Sequence, residues 1–261
     1  MSSDSPVHVT RWGDSGPKVV LIHGGVQGGS AGGERSFAAQ ARLAERGWQM
    51  IVPDRPGQGR SPSPGRPDDA EADGMWAADL LGDGAHLVGH SFGGCVALAA
   101  ASRRPAGVRS LTLIEPAMQN LNRSDPRVRK FGLRAMRVML LSLSATARMK
   151  RFSKLVGIPP ELTLGVKPEE QKRMGKALLR LELPSKDTLE SQLGDLRRNH
   201  VPLLVVTGGW SPAFEAIGDK VAELAGGKRA VARSEHHFPQ LVSDEFNDLL
   251  AGFLKQREAN P

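Results

Sequence analysis

The segment Gly89–Gly93, which reads GHSFG, constrains this chain more than any other. It follows an apolar run, 85–88, and precedes a small-residue run with helical character, 95–101. A G-x-S-x-G sequence between a strand and a helix forms the nucleophile elbow, a turn so tight that glycines must flank the serine. The turn lifts the hydroxyl clear of the sheet, and the N–H groups at the helix N-terminus favour an oxyanion there. The sequence therefore predicts Ser91 as a nucleophile.

Composition places the chain among ordinary globular proteins. Its 261 residues, 39% hydrophobic and 24% charged, suffice for one large core. No apolar run approaches the ~20 residues that a membrane span needs. The first six residues carry neither a basic nor an apolar region, so we expect no secretory signal and a cytoplasmic location. Cys95, the single cysteine, lies where the elbow helix packs on the sheet and is expected to be a small core residue.

The net charge of +7 is unevenly distributed. Residues 117–198 hold 18 Lys and Arg against 8 Asp and Glu, whereas the rest of the chain holds 17 against 20. A solvated helical surface accounts for such a surplus, and so does attraction of an anionic substrate such as a carboxylate or a CoA thioester. Nucleic-acid binding is disfavoured because the segment has no recognisable binding motif and few aromatic residues.

Short apolar runs alternate with helical patterns on both sides of residues 117–199. The predicted strands are 7–12, 18–23, 49–53, 85–89, 110–115, 203–207 and 228–232. The predicted helices between them are 36–46, 75–81, 92–103, 212–224 and 243–256. This alternation predicts an α/β fold with a doubly wound, mainly parallel sheet.

Residues 117–199 interrupt the alternation with four amphipathic helical patterns, at 128–141, 146–155, 168–181 and 185–198. We expect this insert to be a helical cap over one edge of the sheet. The core would then consist of residues 1–116 and 200–261. An apolar pocket is expected above Ser91, lined by Met136 and Leu140 from the cap and by Val26, Trp210 and Phe238 from the core.

A serine hydroxyl needs a general base, and the strongest of the seven histidine candidates lie in the segment 234–240, after the last predicted strand. Four segments in the same order resemble the α/β-hydrolase fold family, in its branch with a helical cap: HGG at 23–25, DRPGQGRS at 54–61, the elbow, and HFP at 237–239. In that family the catalytic histidine directly precedes an aromatic-Pro pair. The resemblance therefore implies His237 as the base, with His236 as a neighbour that tunes its position.

The acid of the triad is the point at which the sequence departs from the family pattern. The loop after the strand 203–207 contains no aspartate before its helix, where family members usually have one. Glu115 ends the strand 110–115, and some branches, including certain haloalkane dehalogenases, take their acid from that position. A buried acid beside the imidazole Nδ1 fixes its tautomer. We expect Glu115 to be this acid; Glu215 is the alternative, and Glu115 could instead be a hinge residue.

The remaining motif residues divide into oxyanion donors and structural residues. The resemblance implies that the backbone N–H groups of Phe92 and Gly25 form the oxyanion hole, with Val26 as the alternative to Gly25. The structural set comprises His23, Asp54 and Arg55, and His90 is expected to line the elbow. The spacing fits neither a zinc site nor a phosphate-binding loop, so no metal and no cofactor are expected.

A serine at the elbow argues against the family's epoxide hydrolases and dehalogenases, which need a carboxylate nucleophile. It favours a serine hydrolase that cleaves an ester or lactone of a small, mostly apolar compound through an acyl-enzyme. A carbon–carbon hydrolase or a thioesterase with the same triad remains open, as does a ligand receptor with little turnover. The expected partner is a small-molecule substrate, without nucleic acid or membrane, and the sequence gives no indication of oligomeric state.

Overall fold

The computed structural model describes residues 7–259, in which seven strands form one sheet of order β1-β3-β2-β4-β5-β6-β7. The strands are β1 Val9–Trp12, β2 Lys18–Ile22, β3 Gln49–Pro53, β4 Ala85–His90, β5 Val108–Ile114, β6 Leu203–Thr207 and β7 Lys228–Val231. β1 pairs antiparallel with β3, and the other neighbours pair in parallel. The predicted mainly parallel sheet is confirmed.

Helices cover both faces of the sheet. They are α1 Gly33–Ser36, α2 Ala70–Asp79, α3 Phe92–Arg103, α4 Pro126–Leu141, α5 Ala145–Leu155, α6 Pro160–Thr163, α7 Pro168–Ala177, α8 Lys186–Arg198, α9 Pro212–Ala225 and α10 Asp244–Ala259. Because side chains alternate along a strand, Val20 and Ile22 face α2, α3, α8 and α9, whereas Val19 and Leu21 face α10 and a 3₁₀ helix, Ala38–Arg46. The doubly wound arrangement follows from these two separate cores.

Two helical segments differ from the predicted bounds. α2 begins at Ala70 rather than at residue 75, because the Asp69 carboxylate accepts hydrogen bonds from the backbone of Glu71 and Ala72. The predicted helix 36–46 is instead α1 followed by the 3₁₀ helix, which meet at the fully buried Phe37. In each case the difference lies in a local turn and leaves the order of elements unchanged.

The segment between β5 and β6 was predicted as one cap, residues 117–199, but its helices belong to two different apolar clusters. α8 packs against α3 and α9, and three of its leucines belong to the main core of the sheet: Leu189, Leu193 and Leu196. A smaller apolar cluster, centred on Val26, Met149 and Leu178, joins α5 and α7 to the loop after β2. The part of the insert that covers the sheet edge therefore ends before α8. Within residues 7–259, none of the helices is long and apolar enough to cross a membrane.

We expect His86 to make the free energy of unfolding depend on pH. Its ring is fully buried in β4, its Nδ1 lies 2.7 Å from Ser110 Oγ, and burial lowers its pKa to about 4. The unfolded chain, in which the pKa is about 6.5, binds the proton more tightly, so this stability is fully present above pH 6.5 and is lost as pH falls toward 4.

We expect the unfolding free energy to drop by about 2 kcal/mol from this histidine alone between pH 7 and pH 5. Urea denaturation at the two pH values should show a smaller drop in His86→Gln than in the wild type. The control His200→Asn, which removes an exposed histidine, should keep the wild-type loss. An equal loss in His86→Gln and in the wild type would contradict this assignment.

Candidate active site

Ser91 stands at the junction of β4 and α3 in a backbone conformation that residues other than glycine seldom adopt, with φ 55° and ψ −123°. The flanking glycines are needed for close approach rather than for flexibility. A Cβ at Gly89 would lie 2.5 Å from Gly93 O, and a Cβ at Gly93 would lie 2.2 Å from Ile22 O. Strain of roughly 1–3 kcal/mol at such a residue persists only where the surrounding fold enforces it. The elbow is therefore held by packing on both sides.

Glu115 and His237 are brought together from residues far apart in the chain. His237 Nδ1 lies 3.0 Å from Glu115 Oε2, and both side chains are buried. A carboxylate can only accept, so Nδ1 carries the proton and Nε2 keeps its lone pair. The imidazole is thus in the tautomer that a general base requires.

Two further donors hold the Glu115 carboxylate. Gly208 N–H donates to Oε1 at 2.7 Å, and Trp210 Nε1 donates to Oε2 at 3.0 Å. Glu115 also has a positive φ of 45°, directly after β5, and its backbone N–H donates to Val206 O. A fully buried carboxylate with three donors is fixed in position, which in turn fixes the plane of the His237 ring.

His237 is also fixed by its own backbone and by ring contacts. Its N–H donates to Gly157 O at 3.0 Å, and its carbonyl accepts from His90 Nε2 at 2.7 Å. The Phe214 and His90 rings lie 4.6 Å and 4.8 Å from its ring centroid. Since His90 immediately precedes Ser91, these contacts join the histidine loop to the elbow. Among residues 7–259, no hydrogen bond yet joins Ser91 Oγ to an imidazole; such bonds often tighten only with substrate bound.

The loop after β2 lies over the elbow. A Cβ at Gly24 would lie 2.7 Å from Ser91 Cβ and 3.3 Å from Ser91 Oγ. Gly25 has a φ of 85°, and its carbonyl accepts from Arg55 Nη1 at 3.3 Å. Phe92 is the first residue of α3, where backbone N–H groups have no partner within the helix. These are the positions where donors for an oxyanion are expected.

Arg55 and His23 brace this loop from beneath. The buried guanidinium pairs with Asp68 at 2.6 Å and with Asp73 at 3.0 Å, and lies 4.5 Å from the centre of the Phe92 ring. His23 Nδ1 donates to Gly24 O at 2.8 Å, while Nε2 accepts from Arg55 N at 2.9 Å. Burial lowers the pKa of His23 to about 4, so the ring is neutral and suited to this bridging role. Both residues have structural contacts, as the sequence predicted.

His90 is buried between the elbow and the histidine loop. Burial, and then the neighbouring His237, lower its pKa well below the ordinary value. The neutral ring donates from Nε2 to the His237 carbonyl, and its ring centroid lies 4.6 Å from that of Phe238. His90 therefore positions the loop that carries His237 and does not compete with it for a proton.

A cavity of about 430 Å³ lies against Gly24, Gly25 and His90. Its walls include apolar side chains that come mainly from α5, α7 and the segment between them: Met149, Ile158, Leu162, Val166, Met174 and Phe238. Three cations, Arg35, Lys150 and Lys154, also line it. Its size and apolar walls are typical of a small-molecule site.

The pocket residues predicted from sequence need correction. Phe238 lines this cavity, but Met136 and Leu140 do not: they are 50% and 74% exposed on α4, which lies outside it. Trp210 binds the Glu115 carboxylate instead, and Val26 packs beneath α5 and α7. The wall residues of α5 and α7 were missed, because the amphipathic pattern of these helices indicates an apolar side but not what that side faces.

The other candidates have different partners. Glu215 accepts from Gly209 N at 3.0 Å and pairs with Arg229 at 2.9 Å, so it is not the acid beside His237. His236 Nδ1 accepts from Phe238 N at 3.1 Å. Cys95 is buried in the core, where burial raises the pKa of its thiol to about 12. A thiol in that state is a packing residue rather than a nucleophile.

A strained serine elbow, a buried histidine–carboxylate pair and a mainly parallel sheet together define an α/β protein with hydrolase-type architecture. The model of the alpha/beta hydrolase family matches residues 19–249. The chain belongs to this family.

Similar proteins and a similar solved structure agree with that assignment. Lipase LipV of Mycobacterium tuberculosis is 40% identical over 119 residues, 43% of this chain and 42% of that protein. Lipase 3 of Moraxella sp. is 27% identical over 85% of this chain and 70% of its own length. The crystal structure of the N-acyl homoserine lactonase AidH matches with a TM-score of 0.68 at 20% identity, covering 96% of this chain and 92% of that one. The match to LipV spans less than half of either protein.

Proposed function

We propose that this protein is a serine hydrolase that cleaves an ester or lactone of a small, mostly apolar acyl compound. The observation that carries the proposal is the 3.0 Å contact between His237 Nδ1 and the buried Glu115 carboxylate, on a loop attached to the elbow of Ser91. The similarity to lipases over part of the chain supports the same class of chemistry.

In the proposed reaction Ser91 Oγ attacks the carbonyl carbon while its proton passes to His237 Nε2. The backbone N–H groups of Gly25 and Phe92 stabilise the oxyanion that forms, and Glu115 stabilises the imidazolium. Collapse of this tetrahedral intermediate breaks the bond to the leaving oxygen, which takes the proton from His237. Water then attacks the acyl-enzyme with His237 as base, releasing the acid and restoring Ser91.

The proposal is tested with a panel of p-nitrophenyl esters, thioesters and lactones. The esters and thioesters share one acyl chain, and the lactones carry a side chain of the same length. We expect turnover of the ester or lactone members, measured as kcat/KM. Thioesters hydrolysed far faster than matched esters would favour the thioesterase alternative. Tight binding of these compounds without any product would contradict the hydrolase and favour a receptor.

The cavity predicts a preferred chain length. A volume of about 430 Å³ holds on the order of fifteen carbon atoms at the packing density of a protein interior or somewhat lower. Each buried methylene adds about 0.8 kcal/mol, so kcat/KM should rise roughly fourfold per carbon and then fall once the cavity is full. A p-nitrophenyl ester series from acetate to palmitate measures this profile.

A larger wall residue should shorten the preferred chain. Met174→Trp fills part of the cavity, so its optimum should move to shorter esters. Met136→Trp, a matched change on the exposed surface of α4, should keep the wild-type profile. The same optimum in all three proteins would show that the acyl chain binds elsewhere.

A further inference from the structure

Exposed apolar side chains concentrate on α4 and on the two residues that follow it. Of ten large apolar residues that are exposed within residues 7–259, five lie between positions 133 and 143: Leu133, Met136, Leu140, Leu141 and Leu143. Their exposed fractions run from 48% for Leu133 to 97% for Leu143. Isolated exposed apolar residues are ordinary, but a contiguous set indicates a binding surface.

The same part of the chain is rich in cations, and of those on α4 only Arg127 has a carboxylate partner among the described residues, namely Asp125. Residues 126–160 contain nine Lys and Arg and no Asp or Glu. Four of the cations are exposed on α4 beside the apolar set: Arg129, Lys130, Arg134 and Arg137. Within the described chain, no cation from Arg129 to Lys154 forms an ion pair. We call these five apolar and four basic residues the α4 face.

The α4 face points outward because the other side of the helix is anchored. Val128 is buried in the main core, and the Phe131 ring lies 5.6 Å from the Phe214 ring on α9. At 100° per residue, Leu133, Met136 and Leu140 form one stripe, and Lys130, Arg134 and Arg137 run beside it. The helix thus has one apolar side toward the protein and a second, basic and apolar, toward solvent.

From this pattern we infer that the α4 face docks on the surface of an anionic lipid bilayer. Leu and Met side chains enter the boundary of the acyl region while Lys and Arg contact lipid phosphates, which is how basic amphipathic helices lie on membranes. A membrane partner was not expected from the sequence, and none of the helices within residues 7–259 can span a bilayer, but docking at the interface needs no span.

Other occupants fit the α4 face less well. A second copy of the chain would bring four unpaired cations against four more, which repel. A nucleic acid would pair with the cations but leave the five apolar side chains without a partner. An anionic bilayer satisfies both the charge and the apolar surface.

The test is co-sedimentation of the full chain with vesicles of phosphatidylcholine alone or with roughly a third phosphatidylglycerol. We expect binding to the anionic vesicles and little to the neutral ones. Arg134→Glu/Arg137→Glu should weaken binding at least about 30-fold, and Leu140→Ser/Leu143→Ser at least about tenfold. Thermal unfolding confirms that each variant folds, which the exposure of all four residues predicts.

Matched controls separate this surface from the overall positive charge. Arg103→Glu/Lys255→Glu makes the same change in net charge near the C-terminal ends of α3 and α10. These ends lie at the opposite edge of the sheet from α4, because a helix that follows a parallel strand runs back toward its start. Met75→Ser/Val231→Ser removes two exposed apolar side chains elsewhere. Both controls should keep near wild-type binding.

The inference is overturned if anionic vesicles do not bind the wild type, or if Arg134→Glu/Arg137→Glu binds as well as its charge control. Unchanged binding by Leu140→Ser/Leu143→Ser would overturn it too, because charge attraction by itself would then account for the binding. A dimer in sedimentation velocity that dissociates in Leu140→Ser/Leu143→Ser would assign the face to a second copy. Binding is measured without turnover, so this outcome is independent of the role of Ser91.

Discussion

Ser91→Ala should lower kcat/KM for the best ester substrate by at least roughly 10⁴-fold, because it removes the atom that forms the acyl-enzyme. The φ of 55° at position 91 is enforced by close approaches at Gly89 and Gly93, so alanine occupies the same backbone conformation. We therefore expect a folded protein with an intact cavity. Steady-state hydrolysis and binding of a non-hydrolysed amide analogue measure the two properties separately.

The control for this variant is Ser102→Ala on the same helix. Ser102 Oγ donates to Asp195 at 2.6 Å and contributes to packing between α3 and α8, away from the cavity. Its loss should lower stability by about 1 kcal/mol and leave kcat/KM within a few-fold of the wild type. Activity of Ser91→Ala above a tenth of the wild-type value would rule out Ser91 as the nucleophile.

Glu115→Gln should lower kcat by about 10³–10⁴-fold. The carboxylate accepts from His237 and Trp210 at one oxygen and from Gly208 at the other. An amide has one acceptor oxygen, so its NH₂ group must face one of these donors. If it faces Nδ1, His237 is driven into the tautomer whose Nε2 carries the proton and cannot take one from Ser91. If it faces Gly208, His237 keeps its tautomer but loses the negative charge that stabilises its imidazolium, so kcat falls in either orientation.

Glu215→Gln is the matched control, because Glu215 also accepts a backbone N–H from the loop after β6. Its other partner is Arg229, and it has no contact with His237. We expect stability to fall modestly and kcat to stay within a few-fold of the wild type. The pH profile of kcat/KM provides a second readout, since Glu115→Gln should shift it and a purely structural loss should not. Equal effects of the two substitutions would argue against Glu115 as the acid.

The elbow and the fold were predictable because both follow from local rules. Glycines at 89 and 93 are required by backbone contacts shorter than 3 Å for any added Cβ, and that requirement is visible in the sequence. The alternation of apolar runs and helical patterns likewise determines a mainly parallel sheet, as observed. Glu115 was expected because some branches of the family that the sequence resembles take their acid from this strand end, and the structure places it beside His237.

The lining of the cavity was not predictable from periodicity. α4 has apolar residues on two sides, with Phe131 turned inward and Leu140 outward, and a helical pattern alone does not say which side meets a partner. The packing partner of α8 was also not predictable from its pattern: its leucine spacing resembles that of a cap helix, yet it packs in the main core. The bond from Trp210 to Glu115 depends on the loop turn at Gly209, with φ 77°, which no spacing reveals.

The central claim is that Ser91 forms a covalent acyl-enzyme activated by His237 and Glu115. The most direct test is labelling of the protein with a fluorophosphonate, followed by peptide mass spectrometry. We predict one adduct, on the peptide that contains Ser91, with slower labelling in His237→Ala and Glu115→Gln and none in Ser91→Ala. An unlabelled wild type, or an adduct on any other residue, would contradict the account.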